Sequence, residues 1–344
     1  KIFAWVLRPK QNVKGGLALI EVKHLTKRYG NHTAVSDLSF TVEKGQIYGF
    51  LGPNGAGKST TMNIMTGCLA ATSGDVVIDG HDIFEESEEA KKLIGYLPEQ
   101  PPLYLDRTPE EYLRFVAEAK RIPAGERAAQ IERVMEVTKI ADVSRRLIKN
   151  LSKGYRQRVG IAQAILGDPE IIVLDEPTVG LDPKQIIEIR DLIKSLGREH
   201  TVILSSHILS EVQAICQTIL IISKGKLIAC DTPENLEKLF TGSVSIQILV
   251  EAGEDELRRI ASGISAVKGV EIKPAGKGCC EARLDIGGAP EKDVCRELFS
   301  AFSAAQRPII RMDTAKASLE DIFIELTSGE KSASDGEEKE GEEK

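Results

Sequence analysis

Apolar and polar residues alternate along LIEVKHLTKRY (19–29) and VSDLSFTVEKGQIYGFLG (35–52). Period-two alternation predicts strands with one buried face, here an antiparallel edge sheet. The pattern then becomes more continuous. IYGFLG, IGYLPE, IIVLDEP and TVILSSH are short apolar runs, suited to strands buried on both faces of a parallel sheet. Helical periodicity fills the intervals, in STTMNIMTGCL, PEEYLRFVAEAKRI, AAQIERVMEVTKI, SKGYRQRVGIAQAIL and KQIIEIRDLIKSL. Such a βα alternation predicts an α/β domain. Near Gly242 the pattern shifts to VSIQILV, EDELRRIASGI, VEIKPAG, CEARLDIG, PEKDVCRELFSAFSAA and PIIRMDT, closed by SLEDIFIELT. That order is β-α-β-β-α-β with a closing helix, which predicts a small ferredoxin-like α+β domain.

The expected organisation is a flexible leader over 1–18, an α/β domain over 19–242, an accessory domain over 243–328 and a disordered tail over 329–344. The tail carries seven acids and three lysines, a balance of −4, and has no aromatic or β-branched residue. The leader residues 1–16 carry four basic residues and no acid.

Composition narrows the function classes. At 344 residues, the chain has length for about two domains. A content of 42% hydrophobic and 28% charged residues is ordinary for a globular protein. The net charge of −7 lacks the basic footprint of a nucleic-acid binder, so no nucleic-acid partner is expected. The apolar runs fall far short of the ~18 residues of a membrane span, so the chain is not expected to cross a bilayer by itself. KIFAWVLRPK lacks the small-residue cleavage site of a secretory signal. The six cysteines show no CxxC or Cys/His metal spacing, which points to a reducing, cytoplasmic setting.

The chemistry begins at residues 52–60, GPNGAGKST, which match G-x-x-x-x-G-K-[ST] through Gly52, Gly57, Lys58 and Ser59. The match follows an apolar strand and opens a helical pattern. Glycines let the backbone approach phosphates and expose N–H groups in an anion nest. The helix adds its positive end. Lys58 is expected on the β- and γ-phosphates, and the Ser59 hydroxyl on Mg²⁺. Pro53, Asn54, Gly55, Ala56 and Thr60 complete the expected cradle. IIVLDEP ends in Asp175 and Glu176. Asp175 is a candidate Mg²⁺ ligand, and Glu176 a candidate general base for an attacking water. LSSH places His207 after another apolar run, at the edge of the crevice such sheets form.

Residues 151–166, LSKGYRQRVGIAQAIL, name a family. They resemble the signature LSGGQ of the ATP-binding cassette (ABC) family, here Leu151-Ser152-Lys153-Gly154-Tyr155, followed by its helix. GLD at 180–182 resembles the D-loop, His207 the switch histidine, and Tyr29 in KRYG the aromatic that stacks on adenine. The chain departs from the family pattern at Lys153 and Tyr155, where Gly and Gln are usual, and retains Ser152 and Gly154. The stretch IGYLPEQPPLY puts Glu99 where the family usually has its Q-loop Gln, with Gln100 one later. Exporter-branch members often carry Glu there, which favours Glu99 as a metal-side residue.

The resemblance implies a P-loop NTPase cassette with a parallel-core sheet, an antiparallel edge sheet and a helical subdomain. It implies an ATPase in which two cassettes pack head to tail. Each MgATP lies between the phosphate loop of one and the signature of the other, so Ser152 and Gly154 act in trans. SLEDIFIELT resembles the end of cassette subunits of exporters whose permease is a separate polypeptide. The implied location is therefore peripheral, on the cytoplasmic face of the membrane, and 103–149 is the implied permease contact. A nucleic-acid- or ribosome-directed cassette protein would show duplicated cassettes or basic arms. A non-hydrolysing regulatory cassette would not need both Glu176 and His207.

Overall fold

A computed structural model describes residues 18–240, 244–276, 278–287 and 289–316. Most of the expected leader, the closing segment 318–327 and the tail 329–344 lie outside the described residues. The chain divides into two compact units, the first running to Pro233 and the second from Glu234.

In the first unit, β1 (Ala18–Tyr29) and β2 (His32–Glu43) pair as an antiparallel hairpin. Alternation sends Ile20, Val22, Leu38, Phe40 and Val42 into the core. The other strands of this sheet are β4 (Ser73–Ile78) and β5 (His81–Asp82), in the order β2-β1-β4-β5. The second sheet has the order β10-β9-β3-β8-β7-β6. Its strands are β3 (Ile47–Leu51), β6 (Ile94–Leu97), β7 (Ile171–Leu174), β8 (Thr201–Ser206), β9 (Thr218–Ser223) and β10 (Lys226–Asp231). All are parallel neighbours except β9 and β10, which form a hairpin. Strands β3, β7 and β8 are buried at every position, as their unbroken apolar runs require.

Strands β4, β9 and β10 are absent from the sequence-predicted elements. The β9–β10 turn is Lys224-Gly225, with φ of 47° and 75°. Two successive left-handed residues suit a tight hairpin, but Lys at the first position is not its usual marker.

The helices expected from periodicity are α1 (Lys58–Met65), α3 (Pro109–Ala119), α4 (Ala124–Val137), α5 (Lys153–Ile165) and α6 (Pro183–Leu196). Two short helices, α2 (Ser87–Lys92) and α7 (Leu209–Ile215), join them. Local chemistry explains the starts. Thr108 caps α3 in a capping box with Glu111, with Pro109 in the first turn. Such a cap is worth about 1 kcal/mol. Asp182 caps α6 ahead of Pro183, its side chain accepting the Gln185 N–H without a reciprocal bond. Helix α5 packs on β6 and β7, and α7 on β3 and β8. The approach of α7 is close because Gly49 leaves room: a Cβ there would collide with Val212.

Helix α8 (Pro233–Phe240) begins where the first unit ends. The second unit orders β11 (Val244–Val250), α9 (Glu254–Ser262), β12 (Gly269–Pro274), β13 (Cys280–Asp285), α10 (Glu291–Ala304) and β14 (Ile309–Lys316). Its antiparallel sheet runs β12-β13-β11-β14. Its core is its own, built on Ile246, Ile248, Leu257, Leu284, Leu298 and Phe302.

Candidate nucleotide site

The phosphate loop connects β3 to α1. Gly57 stands at the helix N-cap in the left-handed region, with φ of 101° and no side-chain cap bond. A Cβ at Gly57 would sit 2.6 Å from the Ala34 carbonyl oxygen, so a larger residue would displace the loop from β2. The first-turn N–H groups of α1 have no intrahelical acceptors and form an anion-binding end.

Lys58 is buried, and its Nζ donates to the Gly52 carbonyl at 2.8 Å and to the Pro53 carbonyl at 3.3 Å. The same ammonium lies 3.3 Å from Glu176 Oε1. Glu176 Oε2 meets His207 Nδ1 at 3.0 Å. One carboxylate thus bridges the loop lysine and the histidine beyond β8.

Glu176 occupies a left-handed conformation, φ 47°. For a non-glycine residue this costs on the order of 1–3 kcal/mol and persists only where the surroundings enforce it. Its N–H donates to Ser205 Oγ at 2.8 Å, and Ser205 Oγ donates to Asp175 Oδ1 at 2.5 Å. The Ser59 hydroxyl also faces Asp175 and favours its ionised form. Burial raises the Asp175 pKa above its usual 3.8, and the neighbouring Glu176 charge adds to this. The Ser205 hydrogen bond, Ser59 and Lys58 oppose the rise. The result is a buried carboxylate beside a serine hydroxyl, an all-oxygen pair that suits a hard divalent cation.

Lys58, Ser59, Glu176 and His207 line a cleft of about 540 Å³, whereas Asp175, Ser205, Gly52 and Pro53 are not on its wall. Residues 54–60 form one side, with Tyr29, His32 and Ala34 from the first hairpin. Glu99, Glu176, Val179 and His207 also line it. Tyr29 is half exposed, and the Lys27 ammonium stands over its ring, 5.2 Å from the centroid. Glu99 lines the cleft and Gln100 does not.

Ser152 and Gly154 do not line this cleft. Ser152 caps α5, its Oγ accepting the Tyr155 N–H at 3.3 Å. Gly154 is buried against Gln185 of α6. The two departures from the signature both have local partners. The Tyr155 hydroxyl donates to Asp142 at 3.0 Å, and the Lys153 ammonium lies over Gly180.

Sequence reasoning missed His32, Ala34, Ser205 and Glu211. Glu211 on α7 is buried and accepts hydrogen bonds from Thr178 and Ser206. No motif marks these residues. The alternating pattern of β2 could have pointed to His32 and Ala34 as neighbours of Tyr29.

Comparison with known proteins gives the family and the fold. The family model for the ABC transporter matches residues 35–179. The ABC transporter ATP-binding protein YhcH of Bacillus subtilis is 37% identical over 313 residues, covering 90% of this chain and 96% of that protein. The linearmycin resistance ATP-binding protein LnrL of the same organism is 31% identical, covering 90% of this chain and 98% of its own. Among solved structures, the dimeric post-hydrolysis state of the cassette MJ0796, bound to ADP and Pi, superposes with a TM-score of 0.57 at 25% identity. That match covers 62% of this chain and 98% of the other. The chain belongs to the ABC transporter family, as an ATP-binding subunit. It is an ATPase with the cassette fold of that family.

Proposed function

We propose that this subunit hydrolyses MgATP between two cassettes and drives export through a separate permease. The observation that carries the reading is the one-sidedness of the cleft. Lys58, Ser59, Glu176 and His207 converge on it, whereas Ser152 and Gly154 cap and pack a helix elsewhere. A second cassette would supply its own Ser152 to complete the nucleotide's surroundings. The dimeric relative with ADP and Pi supports this arrangement.

This reading assigns the residues their roles. Lys58 and the α1 N-terminus bind the β- and γ-phosphates. Ser59 and Asp175, with Glu99 at the cleft edge, are the groups that would hold Mg²⁺, which would neutralise charge on the transferring phosphoryl group. Glu176 takes the proton of the attacking water. His207 holds the Glu176 carboxylate from the side opposite Lys58 and reaches towards the γ-phosphate. Tyr29 stacks on adenine.

The permease would dock on the helical subdomain. A second cleft, about 450 Å³, lies there and is lined by Tyr104, Arg107, Glu111, Tyr112 and Phe115 among others. The Tyr104 ring lies 5.7 Å from that of Tyr112 and 5.2 Å from that of Phe115, with Tyr104 and Phe115 about half exposed. Exposed aromatics with charged rims suit a helix or loop of a membrane subunit. Among the described residues no helix is long and apolar enough to cross a membrane. The proposed location is the cytoplasmic face of the membrane. LnrL, named for resistance to linearmycin, supports an exporter.

The test is purification of the Glu176→Gln chain with MgATP. A stable cassette dimer without turnover, and a co-purifying multispan membrane protein, are expected. A monomer at saturating MgATP contradicts the shared site.

A further inference from the structure

Strands β7 and β8 pair in parallel as far as Leu174 and Leu204. Beyond that pair β7 and β8 exchange no ladder bonds, although β8 continues against β3 to Ser206, and Glu176 and His207 stand 3.0 Å apart just past the two strand ends. Ser205 makes one cross-link, between the Glu176 N–H and Asp175. Glu211 makes a second. Its Oε2 accepts the Thr178 hydroxyl at 2.6 Å and the Ser206 hydroxyl at 3.0 Å. Thr178 lies two residues after Glu176, and Ser206 directly precedes His207. Ser206 Oγ in turn accepts the Ile208 N–H at 3.0 Å, which fixes the chain on the other side of His207.

Glu211 is buried, and among the described residues no cation pairs with it. A buried carboxylate without a counter-charge is a costly way to fill space. It is suited to accepting two hydroxyls at once, one from the loop after β7 that carries Glu176 and one from the last residue of β8, directly before His207. The left-handed turn at Glu176 needs such external restraint.

We infer that Glu211 is a positioning residue for hydrolysis, holding the Glu176 and His207 loops in register through Thr178 and Ser206. The inference rests on the reading of Glu176 as the base. Glu211 itself does not line the nucleotide cleft. Its loss therefore acts on turnover rather than on nucleotide binding.

The test uses the full chain with Glu211→Ala, Glu211→Gln and Thr178→Val, and reads kcat, KM, ATP affinity by direct binding, and Tm. Misplacing reacting groups by about 1 Å costs up to ~100-fold in rate, so Glu211→Ala should lower kcat by about tenfold or more. ATP affinity should stay within about twofold, because the loop residues on the phosphates are untouched. Glu211→Gln keeps one acceptor oxygen and should recover part of kcat. Thr178→Val should lower kcat alone and add nothing in the Glu211→Ala background, since the two residues share one bond. If Glu211→Ala does not fold, Glu211→Gln and Thr178→Val carry the same comparison. Parental kcat in Glu211→Ala, or equal losses of affinity, kcat and Tm, would overturn the inference. Glu176→Gln is measured in parallel. Parental turnover there overturns the base assignment itself. Abolished turnover there, with parental turnover in Glu211→Ala, overturns only the role of Glu211.

Discussion

Lys58 Nζ and Glu176 Oε1 lie 3.3 Å apart, both buried. The cation proposed for phosphate and the carboxylate proposed as base are therefore partners, and a bound phosphate must share Lys58 with Glu176. Removing one member of a buried pair has unequal consequences. Lys58→Ala deletes the point charge for the phosphates and leaves Glu176 buried without its cation. ATP affinity should fall by at least about 100-fold, on the order of 3 kcal/mol, by direct binding. Glu176→Gln should keep or improve ATP affinity, since the competing charge is gone, while turnover stops. Unchanged affinity in Lys58→Ala would remove the phosphate-loop assignment.

Ser152 caps α5 away from the cleft, so its proposed role depends on a second chain. Ser152→Arg should leave ATP binding to the monomer intact and block MgATP-driven dimerisation and hydrolysis. The guanidinium would occupy the space the partner's phosphate loop needs. Mixed with Lys58→Ala, it should form dimers with at most one productive site. Loss of ATP binding in the Ser152→Arg monomer would place the residue in its own chain's site or in folding.

Asp175 gives a pH signature with a definite sign. Its pKa is raised by burial above the ordinary 3.8. Below pH 3.8 the folded and unfolded chains both carry the proton. As the pH rises, the unfolded chain releases it first. The native state then binds more protons, and stability falls until the raised folded pKa is passed. At neutral pH the ionised Asp175 is thus a cost to the fold. Asp175→Asn should raise Tm near neutral pH while abolishing Mg²⁺-dependent hydrolysis. The gain should shrink as the pH is lowered towards 3.8. Thermal melts at several pH values check this, and a variant that melts no higher than the parent at neutral pH contradicts it.

What was legible in the sequence was whatever is contiguous. The phosphate loop, its strand and its helix occupy one stretch, and the local pattern carried all three. The same holds for IIVLDEP, whose strand and carboxylates lie in one run. Glu211 was illegible because one of its partners lies 33 residues away, with α6 and β8 between them. Ser205 and Glu176 are joined over 29 residues, and only the parallel pairing of β7 and β8 brings them together. Lys120 is another such case. Its Nζ donates to the carbonyls of Gln163, Ala164 and Leu166, 43 to 46 residues on, and so caps the end of α5. The β9–β10 hairpin was missed for a different reason: its turn adopts left-handed geometry at a lysine.

The two units have separate cores, which sets the outcome of truncation. Every residue of the nucleotide cleft lies between Tyr29 and His207. The first unit's core joins Ile20, Phe50, Met62, Ile78, Val173 and Leu220, all from that unit. The second unit buries Ile246, Leu284, Leu298 and Phe302 among its own strands and helices. A chain ending at residue 242 should therefore fold and bind ATP with parental affinity. Its deficit should appear in assembly, as weaker MgATP-driven dimerisation or weaker retention of the permease in pull-down. The converse fragment, from residue 243 onward, should melt cooperatively by itself, because its four-stranded sheet and two helices close one core. Calorimetry of the full chain should then resolve two transitions, only the cassette's shifting upward with MgATP, by the linkage between ligand binding and stability. A single transition that moves as a whole, together with a truncated cassette that melts early and fails to bind ATP, would assign residues beyond 242 a structural role in the cassette instead.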